Sequence, residues 1–513
     1  ASARGLKVAL IDKQDFAGGT SSKSTKLFHG GLRYLKQLEF KLVSEVGKER
    51  EIVHRNAPHL TKPEPMLLPI VKNGSLGKLS ARFGMLVYEW LAGVKKEEWH
   101  KVLTVEQTLK YEPLLYKDNL LGGILFYEYR TDDARLTIEV LKEAFTKGAI
   151  ALNYIKAMSF VYDNYYITGV AVKDVFYGKE FVINAKQVVN ATGPWVDEID
   201  DLDKNRNAHK LQITKGIHLV VDHEKLPVTQ SVYFDTFDKR MIFIIPREGK
   251  TYIGTTDTFY KNDINCPGIT NEDRDYILKC VNDFFPNINI QINDLESAWA
   301  GLRPLINKPG KGPSEISRKD EIFSYPSGLL TISGGKLTGY RKMAQRITDI
   351  VAKRMLDKFG METSACTTNT LAISGGHINR NISYKQFVEQ KISEGKDLRL
   401  TQIEIELLAS RYGSNIDKIF LVMHELDRNE NHSIPLIIRA QVLYCIDYEM
   451  CSSPSDFFIR RTGALYFDVD LVKKWKDQVL IYMQTILQWD MILTEKHRMD
   501  LDNLLLEIDQ LKN

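Results

Sequence analysis

The segment from Gly18 to Tyr34 reads GGTSSKSTKLFHGGLRY and joins a predicted strand to a predicted helix. The apolar run Leu6–Ile11 precedes it and ends at the acid Asp12. Leucine and valine recur at helical spacing after it, until Pro58 closes the pattern. The segment therefore places backbone donors and hydroxyl groups between a strand end and a helix. This arrangement favours an anionic or strongly hydrogen-bonding ligand.

The overall composition limits the class of protein. The chain has 513 residues, enough for two or three domains with a large core. Lys and Arg number 69 against 66 Asp and Glu, and this near balance argues against a nucleic-acid partner bound through phosphate neutralisation. No apolar run approaches the roughly 18 residues of a membrane span. Five cysteines form no CxxC pair, and we interpret them as reduced core residues.

Later motifs also place glycine beside predicted strands. A predicted antiparallel meander ends in Ala191-Thr192-Gly193, and a long β region from residue 212 ends in GTTD at residues 254–257. Gly334-Gly335 follows a strand and precedes a helix, where free N–H groups and the positive end of the helix dipole favour an anionic group. Beyond Thr370 the pattern is charged and helical.

These motifs together resemble those of the FAD-dependent glycerol-3-phosphate dehydrogenases. The loop of that family reads much like TSSxSTKLxHGGxRYL, and this chain continues in the family's order with ATGPWVD, GTTD, a GGKxTTYRKMA-like run and an LxDxLxRRT-like run at 455–462. Gly339 stands where the family usually has a second threonine, so we assign no role to that position. The resemblance covers essentially the whole chain.

The resemblance implies an α/β fold with a two-dinucleotide-binding (Rossmann-like) FAD domain, an antiparallel β-rich substrate domain and a helical C-terminal domain. We expect the FAD domain to comprise residues 1–69, 131–211 and 325–365, the substrate domain 70–130 and 212–324, and the helical domain 370–513. The first strand and GxGxxG turn that begin such domains are not in this sequence. We therefore expect an N-terminally truncated form.

The resemblance also implies FAD as the cofactor. Asp12, at the end of the second strand of such a domain, is expected to accept hydrogen bonds from the adenosine ribose. The other expected cofactor-binding residues lie in the loop and the glycine motifs: Thr20, Ser21, Ser24, Leu27, Gly30, Ala191, Thr192, Gly193, Gly335, Lys336, Leu337 and Thr338.

The implied substrate is glycerol 3-phosphate, whose phosphate suits planar guanidinium groups. The cations inside family motifs, with one tyrosine beside them, are the expected substrate-binding residues: Arg33, Tyr34, Arg303, Arg318 and Lys336. A histidine near its ordinary pKa of about 6.5 is the natural base for the hydroxyl proton. We prefer His29 for this catalytic role, with His218 as the alternative.

The resemblance thus implies oxidation of sn-glycerol 3-phosphate to dihydroxyacetone phosphate by hydride transfer to FAD, with electrons passed to a membrane quinone, ubiquinone or menaquinone. We therefore expect a role in glycerol metabolism and the respiratory chain. A glycerol-3-phosphate oxidase of the same fold that uses oxygen is one alternative. A truncated, non-catalytic form is the other.

The helix after the glycine pair carries five cations among apolar residues: Lys342, Arg346, Lys353, Arg354 and Lys358. It is either an interfacial helix on anionic lipid or a packed helix with a solvated basic face. The resemblance favours a peripheral, monotopic membrane contact, at the mitochondrial inner membrane in a eukaryote or the cytoplasmic membrane in a bacterium. A homodimer is possible. We find no targeting segment and no metal-site motif in the sequence.

Overall fold

A computed structural model describes residues 1–29, 39–72, 74, 77, 84–89, 91, 93–204, 211–307, 319–426 and 433–512. Its strands are β1 Ala9–Ile11, β2 Leu27–Phe28, β3 Thr61–Val71, β4 Lys101–Leu103, β5 Leu120–Thr131, β6 Ile150–Leu152, β7 Ile155–Asp163, β8 Tyr166–Asp174, β9 Glu180–Asn184, β10 Val189–Asn190, β11 Leu211–Asp222, β12 Ser231–Asp235, β13 Met241–Arg247, β14 Lys250–Gly254, β15 Thr258–Phe259, β16 Leu295–Ile306, β17 Asp320–Ser324 and β18 Leu330–Gly334.

The helices are α1 Phe40–Asn56, α2 Val105–Tyr111, α3 Asp133–Thr146, α4 Val196–Asp200, α5 Asn271–Phe284, α6 Tyr340–Phe359, α7 Tyr384–Gly395, α8 Gln402–Tyr412, α9 Ile416–Glu425, α10 Leu436–Glu449, α11 Ala464–Phe467, α12 Val469–Leu487 and α13 Met491–Gln510. A short π-helix spans Asp456–Arg461. No helix within the described ranges is long and apolar enough to cross a bilayer.

A ten-stranded sheet forms the centre of the substrate-side region. Its order is β15-β11-β14-β13-β12-β3-β5-β2, and β16 and β4 join through β11 and β5. Nearly all of its pairs are antiparallel, and only β12 and β3 run parallel. On one face α5 packs Ile277 and Val281 against apolar residues of the sheet such as Ile244 and Ile253. The predicted β region from residue 212 is confirmed.

Three smaller sheets carry the glycine motifs. β1 pairs with β6 in parallel, and β10 pairs in parallel with β18, which in turn pairs with β17. The carboxyl ends of parallel strands are the usual place for ligands in α/β folds. β7, β8 and β9 form the predicted antiparallel meander. Asp12, Gly193 and Gly335 therefore lie just beyond the carboxyl ends of parallel strands.

The helical C-terminal region shares its core with the large sheet. One apolar cluster contains Phe126 and Trp299 of the sheet together with Ile419, Val442 and Val472 of the helices. Because burial of apolar area is the main favourable term in folding, this shared cluster holds the two regions together. The α/β fold with a helical C-terminal region agrees with the sequence-based expectation. The domain boundaries stay a prediction.

One local expectation needs correction. Cys266 is exposed and Cys366 is partly buried, so the interpretation of all five cysteines as core residues is wrong for these two. The last helix, α13, begins at Met491, where Asp490 caps it by accepting a hydrogen bond from the backbone N–H of Leu493 at 2.7 Å.

We predict that Gly301→Ala destabilises the fold by about 1–3 kcal/mol, because inserted atoms overpack a close contact. A Cβ atom at Gly301 would lie 2.4 Å from the carbonyl oxygen of Lys23. Gly268→Ala is the matched control, since nothing lies within 4 Å of its added Cβ atom. Differential scanning calorimetry of both variants measures the difference. Equal melting temperatures would contradict the prediction.

Candidate active site

The glycine- and hydroxyl-rich loop is bonded to two neighbouring elements. Near its start, the Thr20 hydroxyl donates to the carbonyl oxygen of Leu302 on β16 at 2.7 Å. Further along, the backbone N–H and the hydroxyl of Ser24 donate to the Asp133 carboxylate at 2.9 and 2.7 Å. Lys26 donates to the same carboxylate at 2.6 Å, and both charged groups are buried. The Ser24 hydroxyl, expected at the cofactor, thus has a structural partner.

The same loop also contacts aromatic residues of the large sheet. His218 Nε2 lies 3.0 Å from the Thr25 hydroxyl, and its ring stacks on Trp299 with 4.8 Å between centroids. The indole N–H of Trp299 donates to the Ser24 carbonyl oxygen at 3.2 Å, and the Tyr252 hydroxyl donates to the Thr25 carbonyl oxygen at 3.0 Å. His218 therefore helps to hold the loop.

The two candidate bases differ in their surroundings. His29 is partly buried and meets Phe243 edge-on, with 5.8 Å between ring centroids. His218 is 1% exposed, and burial together with two nearby cations holds its pKa well below the usual range. It is therefore neutral at physiological pH. Phe243 and His218 both pair with Gly254 across the sheet, so the two histidines approach the same strand end. The preference for His29 stays a prediction.

Arg303 brings two of the sequence motifs together. Its guanidinium donates to the Thr255 hydroxyl at 3.0 Å and to the Thr256 carbonyl oxygen at 3.3 Å, and it lies 3.3 Å from Asp257. A Cβ atom at Gly216 would come within 2.3 Å of this guanidinium. Glycine at 216 thus leaves the space in which the arginine crosses the sheet. The side chain keeps 18% of its surface exposed.

The Ala-Thr-Gly and Gly-Gly-Lys motifs lie beside each other. Asn190 at the end of β10 pairs with Thr331 of β18, so the two motifs leave adjacent parallel strands. The Thr192 hydroxyl donates to the side-chain oxygen of Asn190 at 2.7 Å. Gly193 and Gly335 have φ values of 60° and 83°, in the region that favours glycine. Both turns can therefore present backbone to a ligand at close range.

The residues that follow these turns differ in exposure. Ala191 and Thr192 are exposed, whereas Thr338 is buried in a short 3₁₀ turn, Leu337–Gly339, that leads into α6. Leu27 is buried in β2, so its side chain belongs to the core and only its backbone is available to a cofactor. Ser21 lies in the 3₁₀ turn that begins at Thr20.

Asp12 follows β1, as predicted. Its Oδ1 accepts one hydrogen bond from the backbone N–H of Gln14 at 2.9 Å. Burial, with a smaller contribution from the negative charge of Asp15, raises the pKa of Asp12 to about 6. A half-buried carboxylate with one backbone donor fits a ligand that supplies hydroxyl donors.

A cleft of about 140 Å³ opens along the start of the loop. Its lining includes glycine, hydroxyl, cationic and aromatic residues: Gln14, Gly18, Gly19, Thr20, Lys23, Pro194, Trp195, Ile264, Asn265, Pro267 and Leu302. The Trp195 indole donates to Asn265 at 2.9 Å, and Lys13 lies 4.5 Å from the Trp195 ring centroid. Burial, then the charge of Arg460, lowers the pKa of Lys23.

Sequence reasoning missed four of the residues around this cleft: Lys13, Lys23, Trp195 and Asn265. Lys23 and Trp195 lie inside the quoted motifs, and this membership could have identified them as site residues. Asn265 lies in a loop with no motif. Four expected site residues, Gly30, Arg33, Tyr34 and Arg318, lie outside the described residues.

Two family models match the chain. The model described as FAD dependent oxidoreductase matches residues 1–340, and the model described as C-terminal domain of alpha-glycerophosphate oxidase matches residues 366–492. The aerobic glycerol-3-phosphate dehydrogenase of Bacillus subtilis (strain 168) is 52% identical over 506 residues, covering 98% of this chain and 91% of the relative. The protein of the same name from Staphylococcus haemolyticus (strain JCSC1435) is 51% identical over 491 residues, covering 95% and 88%.

The chain belongs to the FAD-dependent glycerol-3-phosphate dehydrogenases. A solved structure of the glycerol-3-phosphate dehydrogenase from Bacillus halodurans complexed with FAD has a TM-score of 0.85 and 43% identity, covering 99% of this chain and 91% of that one. Three predictions from the sequence are thus confirmed: the family, the assignment as an enzyme, and FAD as the cofactor. The relatives named here are bacterial, so a mitochondrial location gains no support from them.

The described residues fit FAD. Two glycine turns at parallel strand ends leave room for close backbone approach, and the loop adds hydroxyl groups and a glycine pair beside an open cleft. Asp12 supplies an acceptor for ribose hydroxyls, and Lys13 and Lys23 supply positive charge near the start of the loop. The predicted contact residues themselves stay a prediction.

We predict that FAD affinity falls as the pH is lowered below about 6. The unliganded Asp12 has a pKa of about 6, and an acceptor of ribose hydroxyls must be ionised, so protons compete with FAD below that value. The dissociation constant should rise by up to about tenfold per pH unit, following proton linkage. Flavin fluorescence quenching between about pH 8 and about pH 5 measures it.

The control for this titration is Asp12→Asn, which removes the titrating group and keeps its shape. It should bind FAD more weakly at about pH 8 and show a flatter pH dependence. An Asp12→Asn profile as steep as that of the wild type would show that another group is responsible.

Proposed function

We propose that the enzyme oxidises glycerol 3-phosphate to dihydroxyacetone phosphate and passes the electrons to a membrane quinone. The position of Arg303 on β16 supports the substrate part of this proposal most directly. Its guanidinium lies against the Thr255–Asp257 segment and close enough to His218 for its charge to lower the pKa of that imidazole. A planar guanidinium in such a place suits a doubly charged phosphate bound bidentately.

The proposed chemistry divides among a few groups. FAD, when bound, supplies the hydride acceptor. Arg303 and Lys336 hold the substrate phosphate, which fixes the carbinol carbon in one orientation. His29 accepts the proton of the hydroxyl group, since imidazole is the side chain most often used as a general base. Neutral His218 supports the loop that carries Thr25.

The contacts of α6 bear on the two interpretations of its basic residues. Arg346 pairs with Glu45 at 2.9 Å and also with Asp320, and Arg354 donates to the Gly328 carbonyl oxygen at 2.7 Å. These two arginines are thus used in packing. Lys353 and Lys358 are exposed on the same helix. The arginines therefore fit a packed helix, and the exposed lysines remain available to an anionic lipid surface.

An apolar-basic patch at the end of α6 supports the proposed membrane contact. It consists of Leu356, Phe359, Met361, Lys186 and Lys353. Leu356 and Phe359 are 50% and 43% exposed, and Lys186 lies 4.7 Å from the Phe359 ring centroid. Exposed apolar side chains among lysines suit an anionic lipid surface. With bacterial relatives, we propose the cytoplasmic membrane as the location.

We predict oxidation of glycerol 3-phosphate by the FAD-loaded protein with a quinone as acceptor. Anaerobic addition of the substrate should bleach the flavin absorption band, and quinone in anionic vesicles should restore it. Phe359→Ser should slow the reaction with vesicle quinone several-fold and leave the rate with a water-soluble quinone analogue unchanged, because only the first requires lipid contact. Ile403→Ser is the control, being 77% exposed on α8.

The oxidase alternative gives a different result in the same assay. Suppose that the protein in air forms one hydrogen peroxide per substrate oxidised, at a turnover rate that quinone does not increase. Oxygen would then be the electron acceptor, and the oxidase alternative would replace the quinone proposal. Absence of bleaching in protein that holds FAD would contradict the substrate assignment.

We predict that Arg303→Lys raises the KM for glycerol 3-phosphate about ten- to hundredfold, because lysine keeps the charge and loses the bidentate fork. FAD affinity should be unchanged. Arg240→Lys is a matched control, since this arginine also pairs with an aspartate, Asp238, at a site outside the cleft. Steady-state kinetics and flavin titration separate the two effects. An unchanged KM would show that Arg303 does not bind the substrate phosphate.

A further inference from the structure

The chain between Asp12 and the glycine pair is attached to the C-terminal region by one carboxylate. Asp15 is 1% exposed. It accepts hydrogen bonds from both terminal nitrogens of Arg461 at 2.7 and 3.0 Å, from Arg460 Nε at 2.5 Å and from the Asn153 amide at 2.9 Å. Four donors on one buried carboxylate form an unusually complete site for a negative charge.

The arginines are held from the other side as well. Arg461 also donates to the carbonyl oxygen of Glu449 at 2.8 Å, and Arg460 pairs with Asp456, which accepts from the Tyr154 hydroxyl at 2.6 Å. Consecutive side chains on an α-helix are about 100° apart, yet both arginines reach one carboxylate. The π-helix Asp456–Arg461 is the local departure that accompanies this geometry.

The charges of this cluster depend on one another. Burial alone would raise the pKa of Asp15, but Arg461 and Arg460 outweigh it and hold the pKa at about 2. The carboxylate is therefore ionised throughout the physiological range. Removing it would leave Arg461 and Arg460 with their contacts to Glu449 and Asp456 alone, and a buried charge that loses part of its pairing is costly in a low-dielectric interior.

The backbone beside Asp15 leads directly to the proposed cofactor contacts. The Gly18 N–H donates to the Asp15 carbonyl oxygen at 2.9 Å, and the Tyr154 N–H donates to the Gln14 carbonyl oxygen at 3.1 Å. The Gln14 N–H in turn donates to Asp12. Fixing Asp15 thus fixes the path between Asp12 on one side and the glycine pair on the other.

We propose that Arg460 and Arg461 are positioning residues for the FAD site, acting through Asp15 from the helical C-terminal region. This inference rests on the proposed placement of FAD between Asp12 and the glycine-rich loop. The helical region is then part of the cofactor site, although its described residues are not among those that line the cleft.

The test uses the FAD-binding protein as purified, freed of FAD. Asp15→Asn keeps the size of the side chain and removes its charge, and Arg460→Lys keeps the charge and weakens the geometry. Both should bind FAD at least about tenfold more weakly, because small displacements of a preorganised site cost affinity. At saturating FAD the KM for glycerol 3-phosphate should be close to that of the wild type. Combining Asp15→Asn with Arg461→Met should recover part of the affinity, since the buried cation that has lost its Asp15 partner is removed.

The control separates positioning from general stability. Lys391→Met breaks ion pairs with Glu394 and Asp417 inside the helical region, away from Asp15. Thermal melts and FAD titrations are compared for all variants. If Asp15→Asn and Arg460→Lys lower the melting temperature like Lys391→Met and bind FAD like the wild type, the proposal is overturned. If Asp12→Asn also leaves FAD affinity unchanged, the placement of FAD is wrong instead.

Discussion

The buried ion pair between Lys26 and Asp133 is the contact on which the arrangement of the enzyme depends. Asp133 begins α3, and its neighbours in the first turn of that helix pair elsewhere. Asp132 accepts a hydrogen bond from Arg247 of the large sheet at 3.1 Å, and Arg135 pairs with Glu449 of the C-terminal region at 2.6 Å. One helical turn therefore contacts the loop, the sheet and the helical region. Buried charges are costly unless fully paired, so each part requires the others to be in place.

This convergence explains how the site is divided between regions. Parallel strand ends supply glycine turns, and the antiparallel sheet supplies Arg303 and His218. The loop lies between them and is bonded to both, through Thr20 on one side and Thr25 on the other. Under the proposed function, a cofactor along that loop would therefore be reached from both regions.

The sequence was a good guide wherever the signal was local. Glycine turns, the meander, the β region and Asp12 at a strand end all follow from short-range pattern, and the structure contains them. Ser24 and Lys26 show the limit, since their partner Asp133 is more than a hundred residues away in the chain. Arg460 and Arg461 belong to a recognisable sequence motif, but the motif does not predict that both arginines bond to Asp15. Contacts of that kind depend on tertiary packing.

The shared first turn of α3 has a consequence for how the molecule unfolds. Regions joined by exposed linkers can melt one after another, each at its own temperature. Here, release of the helical region would take Glu449 away from Arg135 and both arginines away from Asp15, and release of the loop would take Lys26 away from Asp133. Partial unfolding therefore has a cost at each of these boundaries, and we expect the regions of this chain to unfold as one cooperative unit.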